Sequence, residues 1–248
     1  MKKYELTEET KVIGGKTLFR IRALRSFGGI KAGDLGGFIE NERNLSHGGN
    51  AWVGGNAEVY GNAQVVGYAQ VGGNAQVNGY AQVGGNAWVE DNAQVGGNAR
   101  VSGDAWVNGD ARVNGDAWVE DNARVDGDAW VGGYARVNGD AQVVGDARVD
   151  GNAQVGGYAW VGGNARVGGD GLINSNNDYL CEQGLGSRNR SASFFKCKDG
   201  HIHVLCGCFS GNLDEFENKV KEEHGNSKYS KEYLGFIEVV KTHFEVRQ

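Results

Sequence analysis

Proline is absent from the 248 residues, whereas an average composition would supply roughly 12. Glycine, by contrast, occurs 43 times. A collagen triple helix needs abundant proline together with glycine at every third position, and disordered low-complexity chains lack regularly spaced apolar residues. With 40% apolar residues, the composition therefore excludes both classes and favours a regular backbone with many tight corners.

Long apolar runs are also missing. No stretch approaches the roughly 18 residues that a membrane-spanning helix needs, and residues 1–9 are mostly polar. We therefore expect a soluble, cytoplasmic protein with no membrane partner. All four cysteines lie in the last third of the sequence, and without a secretory signal they are expected to be thiols rather than disulfides.

Positive charge is scarce in the middle of the chain. Residues 51–170 contain no lysine, histidine, cysteine or threonine, and Ser102 is their only serine. This segment has six arginines and fourteen acidic residues, so it accounts for the negative net charge of the whole chain, which is −6. Phosphate binding relies on clustered positive charge, so nucleic acid is not an expected partner.

A six-residue repeat fills this middle segment. The pattern Ala-x-Val-x-Gly-(Asn/Asp/Tyr) occurs twenty times without insertion from Ala51 to Val167, and only Asp91 and Asp121 replace the corner glycine. Alanine and valine two residues apart share one face of a short strand, and glycine permits a tight corner. A period of six does not fit a helix, and each strand is too short for a stable hairpin. The repeat therefore predicts short parallel strands stacked in a solenoid.

The repeat resembles the left-handed parallel β-helix of the hexapeptide-repeat superfamily, whose aliphatic and small positions match Val53 and Ala51 and their successors. The resemblance implies three hexads per turn and a left-handed coil. Residues 31–40 are also similar to the opening of uncharacterised hexapeptide-repeat proteins of bacteria and phages, some of them provisionally named acyltransferases. The predicted fold class is an all-β solenoid of about seven coils. Its expected parts are an N-terminal hairpin and cap (1–50), the β-helix (51–173) and a small α+β module (174–248).

The two ends have their own patterns. Residues 11–24 predict a hairpin around Gly14-Gly15, and the step from Ile39 to Leu45 predicts one irregular rung whose register then shifts by two. In the tail, 194–197 and 201–209 predict strands. Asn212 and Glu215 form a capping signature for a helix ending near His224, and 230–243 predicts a second helix.

With eighteen residues per turn, outward side chains stack in columns, and four of the six tryptophans fall on one face. The predicted oligomer or partner face consists of Trp52, Trp88, Trp106, Arg124 and Trp160. Trp88 and Trp106 on adjacent rungs, with Arg124 beyond, suit ring and cation stacking. The alternative is that these residues merely tile a β surface. A second column, Asp110, Asp128 and Asp146, predicts either a cation site or a solvated face balanced by nearby arginines.

An enzyme is the main alternative to a binding scaffold. The resemblance implies an acyltransferase in which a histidine acts as general base. The coils have no histidine and no inserted loop to cover an acyl donor, so only His47 is available for that role. We therefore expect a non-enzymatic scaffold without a cofactor, forming a homo-oligomer, with an acyltransferase as the alternative.

The tail carries the most varied chemistry. Cys206 and Cys208 alternate with Ile202 and Val204, which predicts both thiols on one side of a strand. Zinc binding with neighbouring donors is one interpretation, and packing of small apolar thiols is the favoured one, since Cys206 and Cys208 lack the usual two-residue gap. The neighbouring donors are Cys181, Cys197, His201 and His203.

A glycine-rich loop in the tail is the predicted ligand or partner contact, through Arg188, Asn189 and Arg190. Free backbone amides and two arginines are able to hold a phosphate or an acidic partner, and a mobile solvated loop is the alternative. The segments 186–189 and 206–209 are similar to a tail on some phage-borne repeat proteins. We therefore expect the module to bind a protein or small ligand, and a phage or prophage origin with inhibition of a host system is one version of that function.

Overall fold

The computed structural model describes residues 2–246. The chain opens with the predicted hairpin, β1 (Tyr4–Ile13) and β2 (Lys16–Ala23), followed by β3 (Leu35–Ile39) and a short 3-10 helix (Glu42–Asn44). The first strand begins earlier than the sequence indicated. β3 pairs antiparallel with β2 on one side and parallel with the first coils on the other, so the cap continues one sheet of the solenoid.

A three-sided solenoid follows, in which each hexad contributes one two-residue strand. Trp88 pairs with Gln70 and Trp106, each eighteen residues away, which confirms the length of the turn. The strands are β4 (Trp52–Val53), β5 (Glu58–Val59), β6 (Gln64–Val65), β7 (Gln70–Val71), β8 (Gln76–Val77), β9 (Gln82–Val83), β10 (Trp88–Val89), β11 (Gln94–Val95), β12 (Arg100–Val101), β13 (Trp106–Val107), β14 (Arg112–Val113), β15 (Trp118–Val119), β16 (Arg124–Val125), β17 (Trp130–Val131), β18 (Arg136–Val137), β19 (Gln142–Val143), β20 (Arg148–Val149), β21 (Gln154–Val155), β22 (Trp160–Val161), β23 (Arg166–Val167) and β24 (Leu172–Ile173).

Every third strand belongs to the same parallel sheet. The first face stacks β4, β7, β10, β13, β16, β19 and β22, the second runs from β3 and β5 to β23, and the third runs from β6 to β24. Ile39 pairs with Val59, and Leu45 pairs with Val65, at spacings of twenty instead of eighteen. This pairing confirms the predicted irregular rung and brings the solenoid to about eight turns.

The core of the coils consists of the repeated alanine and valine side chains, which are at most 1% exposed. The corner glycines have positive φ angles, and Asp91 and Asp121 take the same left-handed conformation, with φ of 56° and 61°. Aspartate enters this region more readily than most residues, and each carboxylate accepts a hydrogen bond from the N–H of the corner glycine one turn further on, Gly109 at 3.3 Å and Gly139 at 3.0 Å. The hexad thus fixes which side chains point inward and where the backbone turns.

A C-terminal domain closes the far end of the coils. After a 3-10 helix (Asn176–Asp178), its elements are β25 (Tyr179–Leu185), β26 (Arg190–Lys196), β27 (Ile202–Cys206), β28 (Phe209–Asn212), α1 (Leu213–His224) and α2 (Lys228–His243). The strands form an antiparallel sheet in chain order, and the Asn212–Glu215 capping box starts α1 as predicted. One face of the sheet packs on the helices through residues such as Phe194, while Phe195 joins the core of the coils.

The two ends of the solenoid need opposite hydrogen-bonding partners. Within the coils each turn donates its N–H groups to carbonyls of the next turn, as Trp52 does to Ala69 at 3.0 Å. The first turn therefore presents carbonyls without ladder partners, and the last turn presents N–H groups. The N-terminal cap supplies donors: Lys3 Nζ bonds to the Ala51 oxygen at 2.6 Å, and Asn44 Nδ2 to the Ala63 oxygen at 2.9 Å.

The C-terminal domain supplies acceptors for the other end. Asn176 Oδ1 accepts from the N–H of Trp160 at 2.7 Å, and Ser193 Oγ accepts from the N–H of Arg166 at 2.8 Å. Buried backbone groups without partners are costly, so these side chains are needed to terminate the ladders. Across residues 2–246, no helix is both long and apolar enough to cross a membrane.

Candidate functional site

The first face carries the predicted aromatic column. The rings of Trp88 and Trp106 stack with centroids 5.7 Å apart and planes 19° from parallel, and the Arg124 guanidinium lies 5.6 Å from the Trp106 ring. Trp160 lies two turns beyond Arg124, with Gln142 between them. We call Trp88, Trp106, Arg124 and Trp160 the tryptophan face. Its three indoles remain 38%, 40% and 57% exposed, so a flat aromatic and cationic surface faces solvent.

Trp52 does not belong to this surface, which corrects the sequence prediction. Only 4% of Trp52 is exposed, because Phe27 from the N-terminal cap packs edge-on against it with centroids 5.5 Å apart. The column argument assumed that every outward position faces solvent. At the first turn the cap covers that position, so Trp52 joins the core.

One outward tryptophan on another face packs against two arginines. Trp118 lies between Arg100 and Arg136, each guanidinium 4.9 Å from its ring centroid. Elsewhere Asp110, Asp128 and Arg112 line a shallow hollow of about 470 Å³ together with Arg148. Acids and arginines in one hollow favour the charge-balanced interpretation of the aspartate column.

His47 lies inside the N-terminal cap. Its ring stacks on Tyr4 with centroids 4.4 Å apart, its Nδ1 accepts a hydrogen bond from the Lys3 N–H at 3.2 Å, and its Nε2 is 3.6 Å from Glu42. These contacts give His47 a structural role. A general base must reach the proton that it removes, and this ring is packed between elements of the cap.

The predicted arginine loop lies at the edge of the C-terminal sheet. Asn189 takes a left-handed conformation with φ of 47° in the turn between β25 and β26. Arg190 lines a hollow of about 300 Å³ together with Cys206, Phe209 and Tyr233. Arg188 is exposed and lines neither this hollow nor the larger cavity described next. The structure therefore does not bring Arg188 and Arg190 together at one concave site.

The cysteines are distributed differently from the prediction. Cys206 is buried under Tyr233, whereas Cys208 is exposed in the turn between β27 and β28, so the two thiols do not share one side of a strand. The strand ends at Cys206 because the chain reverses at Gly207, whose φ is 60°. Cys181 lies near Ser193 on the solenoid side of the sheet.

A cavity of about 760 Å³ opens where the last coils meet the C-terminal domain. We call it the junction cavity. The end of the coils contributes Asp170, the turn between β26 and β27 contributes Cys197 and His201, and the start of α1 contributes Asp214 and Glu215. These residues are far apart in sequence, and docking of the terminal sheet onto the coils brings them together.

Three potential metal ligands lie in the wall of the junction cavity. The Cys197 sulfur and one nitrogen from each of His201 and His203 lie within 4.8 Å of one another. Burial, reinforced by the nearby carboxylates of Asp199 and Asp170, raises the pKa of the Cys197 thiol to about 11. Burial and the neighbouring His201 lower the pKa of His203. Both shifts favour neutral side chains in the metal-free protein. Sequence reasoning named these donors among six and could not select these three.

The three parallel sheets, the eighteen-residue turn and the inward alanine and valine define the class of the molecule: it is a parallel β-solenoid built from a six-residue repeat. A family model described as YdcK beta solenoid repeat matches residues 93–109, so this part of the coils is similar to that repeat.

Two further comparisons give less information about this chain. A solved structure from Bacillus cereus, provisionally named an acetyltransferase, aligns with 77% of this chain and 86% of its own, at 8% identity and a TM-score of 0.17. Similarity at that level does not bear on activity. No curated protein sequence matches the chain.

Proposed function

We propose that this protein is a non-enzymatic binding scaffold, in which the solenoid is a rigid support and the C-terminal domain binds a ligand in the junction cavity. The observation that carries this proposal is the location of the cavity. A concave site of about 760 Å³ lies at the contact between the coils and the terminal domain, where cysteine, histidine and carboxylate side chains meet. Binding sites are often concave and lie between structural units.

The charge of the cavity indicates the class of ligand. Asp170, Asp214 and Glu215 line it, and none of the described lining residues is a lysine or arginine. A cation, or a small polar molecule that donates hydrogen bonds, fits such a wall better than an anion does. A protein segment with a basic side chain is the alternative occupant.

The test uses the full-length protein and one charge reversal. Tagged protein is captured from a bacterial lysate, and bound small molecules are identified by mass spectrometry. We expect a ligand to accompany the wild type and the Glu222→Arg control, and to be lost from Asp214→Arg. Both acids are exposed on α1, but only Asp214 lines the cavity. Equal retention by Asp214→Arg would overturn the proposed site.

Self-association through the tryptophan face is the second part of the proposal. Flat aromatic surfaces with interleaved arginine are typical of the centres of protein interfaces, where both residue types are enriched. The exposure of Trp88, Trp106 and Trp160 supports this role. An inhibitory action on a host protein, a cytoplasmic location and a phage origin stay predictions.

The acyltransferase alternative depends on His47. The packing of its ring against Tyr4 argues against it, and His47 does not line the junction cavity. A direct assay decides: transfer of an acyl group from acyl-coenzyme A to amines or hydroxyls at useful rates, abolished in His47→Ala, would show that the protein is an enzyme.

A further inference from the structure

The wall of the junction cavity holds a thiol and two imidazoles in a compact group. Cys197 directly follows β26, and its N–H donates a hydrogen bond of 2.9 Å to the His201 oxygen across a tight turn. His203 follows on β27, opposite Phe195. The turn and the strand pairing, both part of the backbone, thus fix the positions from which the three side chains converge.

Each imidazole is held through one ring nitrogen by a protein oxygen. His201 Nδ1 lies 2.5 Å from Asp199 Oδ1, and His203 Nε2 lies 2.9 Å from Ser210 Oγ. Among residues 2–246, the other nitrogen of each ring has no hydrogen-bond partner. Histidines that bind metals are usually oriented in this way, with a carboxylate or another oxygen on the second nitrogen.

The surroundings of the group favour a cation. Asp170, Asp214 and Glu215 line the same cavity, and Asp199 contacts His201 directly. A buried thiolate beside these carboxylates is unfavourable without a positive charge, and a divalent ion supplies that charge. Thiolate and imidazole are the donors that zinc prefers, with oxygen donors suiting harder ions.

We propose that Cys197, His201 and His203 bind a divalent transition-metal ion, for which Zn²⁺ is the best match to the donor set. In a tetrahedral zinc site the ligand atoms lie roughly 3.5 Å apart, so the present separations of up to 4.8 Å close with small side-chain rotations. Three protein ligands leave a fourth position, which water or the ligand of the cavity fills. Only the occupation of this fourth position by the ligand of the cavity rests on the proposed function.

The test measures bound metal. Reduced, metal-free full-length protein is equilibrated with Zn²⁺, dialysed, and analysed by atomic emission. We expect one ion per chain in the wild type and in the controls Cys208→Ser and His224→Asn. The ion should be lost from Cys197→Ser and His201→Asn. Asp199→Asn, which removes a positioning group, should weaken Zn²⁺ binding by roughly 10- to 100-fold.

Cobalt identifies the ligands. Co²⁺ bound by the wild type should show a thiolate-to-cobalt charge-transfer band in the near ultraviolet, and Cys197→Ser should lack it. If the buried Cys197 variant does not fold, His201→Asn decides the question, because the His201 side chain is 42% exposed. A wild type that retains no Zn²⁺, or a His201→Asn variant that binds as the wild type does, would overturn the metal site.

The outcomes separate the two proposals. If the wild type binds one Zn²⁺ per chain and Asp214→Arg retains as much ligand as the wild type, the metal site is supported and the ligand site is overturned. If the wild type binds no Zn²⁺ but captures a ligand that is lost from Asp214→Arg, the ligand site is supported and the metal site is overturned.

Discussion

The side-chain nitrogen of Lys3 donates a hydrogen bond of 2.6 Å to the carbonyl oxygen of Ala51, across the N-terminal end of the solenoid. Lys3 is fully buried and lies 5.0 Å from the centre of the Phe27 ring. Burial, reinforced by the charge of Arg25, lowers the pKa of its amine to about 8. The end of a parallel sheet is thus closed by a buried amine.

The first prediction follows from this pKa. The folded value of about 8 lies below the ordinary 10.5, so the unfolded chain binds more protons between these two values, and this residue's contribution to stability rises with pH across that window. Lys3→Met removes the dependence. Between pH 7 and 10, we expect the unfolding free energy of the wild type to rise by about 2 to 3 kcal/mol relative to that of Lys3→Met. Urea denaturation of both proteins measures it, and a constant difference would contradict the prediction.

The corners of the coil give a second prediction with a built-in control. Gly73 has φ of 61°, and an added Cβ would lie 2.8 Å from the backbone nitrogen of Asp91, whereas a Cβ on Gly72 meets its nearest neighbour, the Glu90 side chain, at 3.7 Å. Gly73→Ala should therefore lower the unfolding free energy by about 1 to 3 kcal/mol. Gly72→Ala should leave it nearly unchanged. Thermal unfolding compares the two, and equal stability would show that the corner tolerates a side chain.

The third prediction concerns self-association. Light scattering should give a mass above the 26.5 kDa of one chain, and replacing Trp88 and Trp106 with glutamine should return it to that value. Glutamine occupies the same outward position in several hexads, so the coil accommodates it. The matched control replaces Trp118 and Trp130, on the other two faces. A wild type that is monomeric at high concentration would remove the proposed interface.

The fourth prediction concerns the length of the coil. Excising residues 93–110 removes one complete turn and joins two hexads in register. We expect cooperative unfolding to persist and the molecule to shorten by about 4.8 Å, measurable by small-angle scattering. Excising 93–109 instead leaves one extra residue at a corner and a rung of nineteen, so this deletion should lower the unfolding free energy more than excision of the complete turn does. Equal behaviour of the two deletions would contradict an eighteen-residue turn.

Most of the coil could be predicted from the sequence because its contacts repeat. A residue's place in the hexad decides its burial, and stacking of Trp88 on Trp106 follows from a spacing of eighteen. Trp52 obeys the same pattern and is nevertheless buried, because its partner Phe27 belongs to a segment that does not repeat. The left-handed sense of the coil stays a prediction from the resemblance.

The candidate site was less accessible to such reasoning. Asp170 and Asp214 meet through the docking of the terminal domain, which no local pattern specifies. The helices of that domain could be predicted from their caps and apolar spacing. The choice of Cys197 over Cys208 as a neighbour of the histidines depends on where β27 ends, and strand ends are weakly encoded in single residues.

The opposite polarity of the two solenoid ends has a consequence for assembly. A bare first turn exposes carbonyls and a bare last turn exposes N–H groups, so two uncapped coils have complementary ends and would join head to tail into a growing fibre. Lys3 and Asn44 occupy one end, and Asn176 and Ser193 the other. The two caps therefore prevent end-to-end association of the coils, so that a solenoid of nearly identical turns does not extend into a fibre.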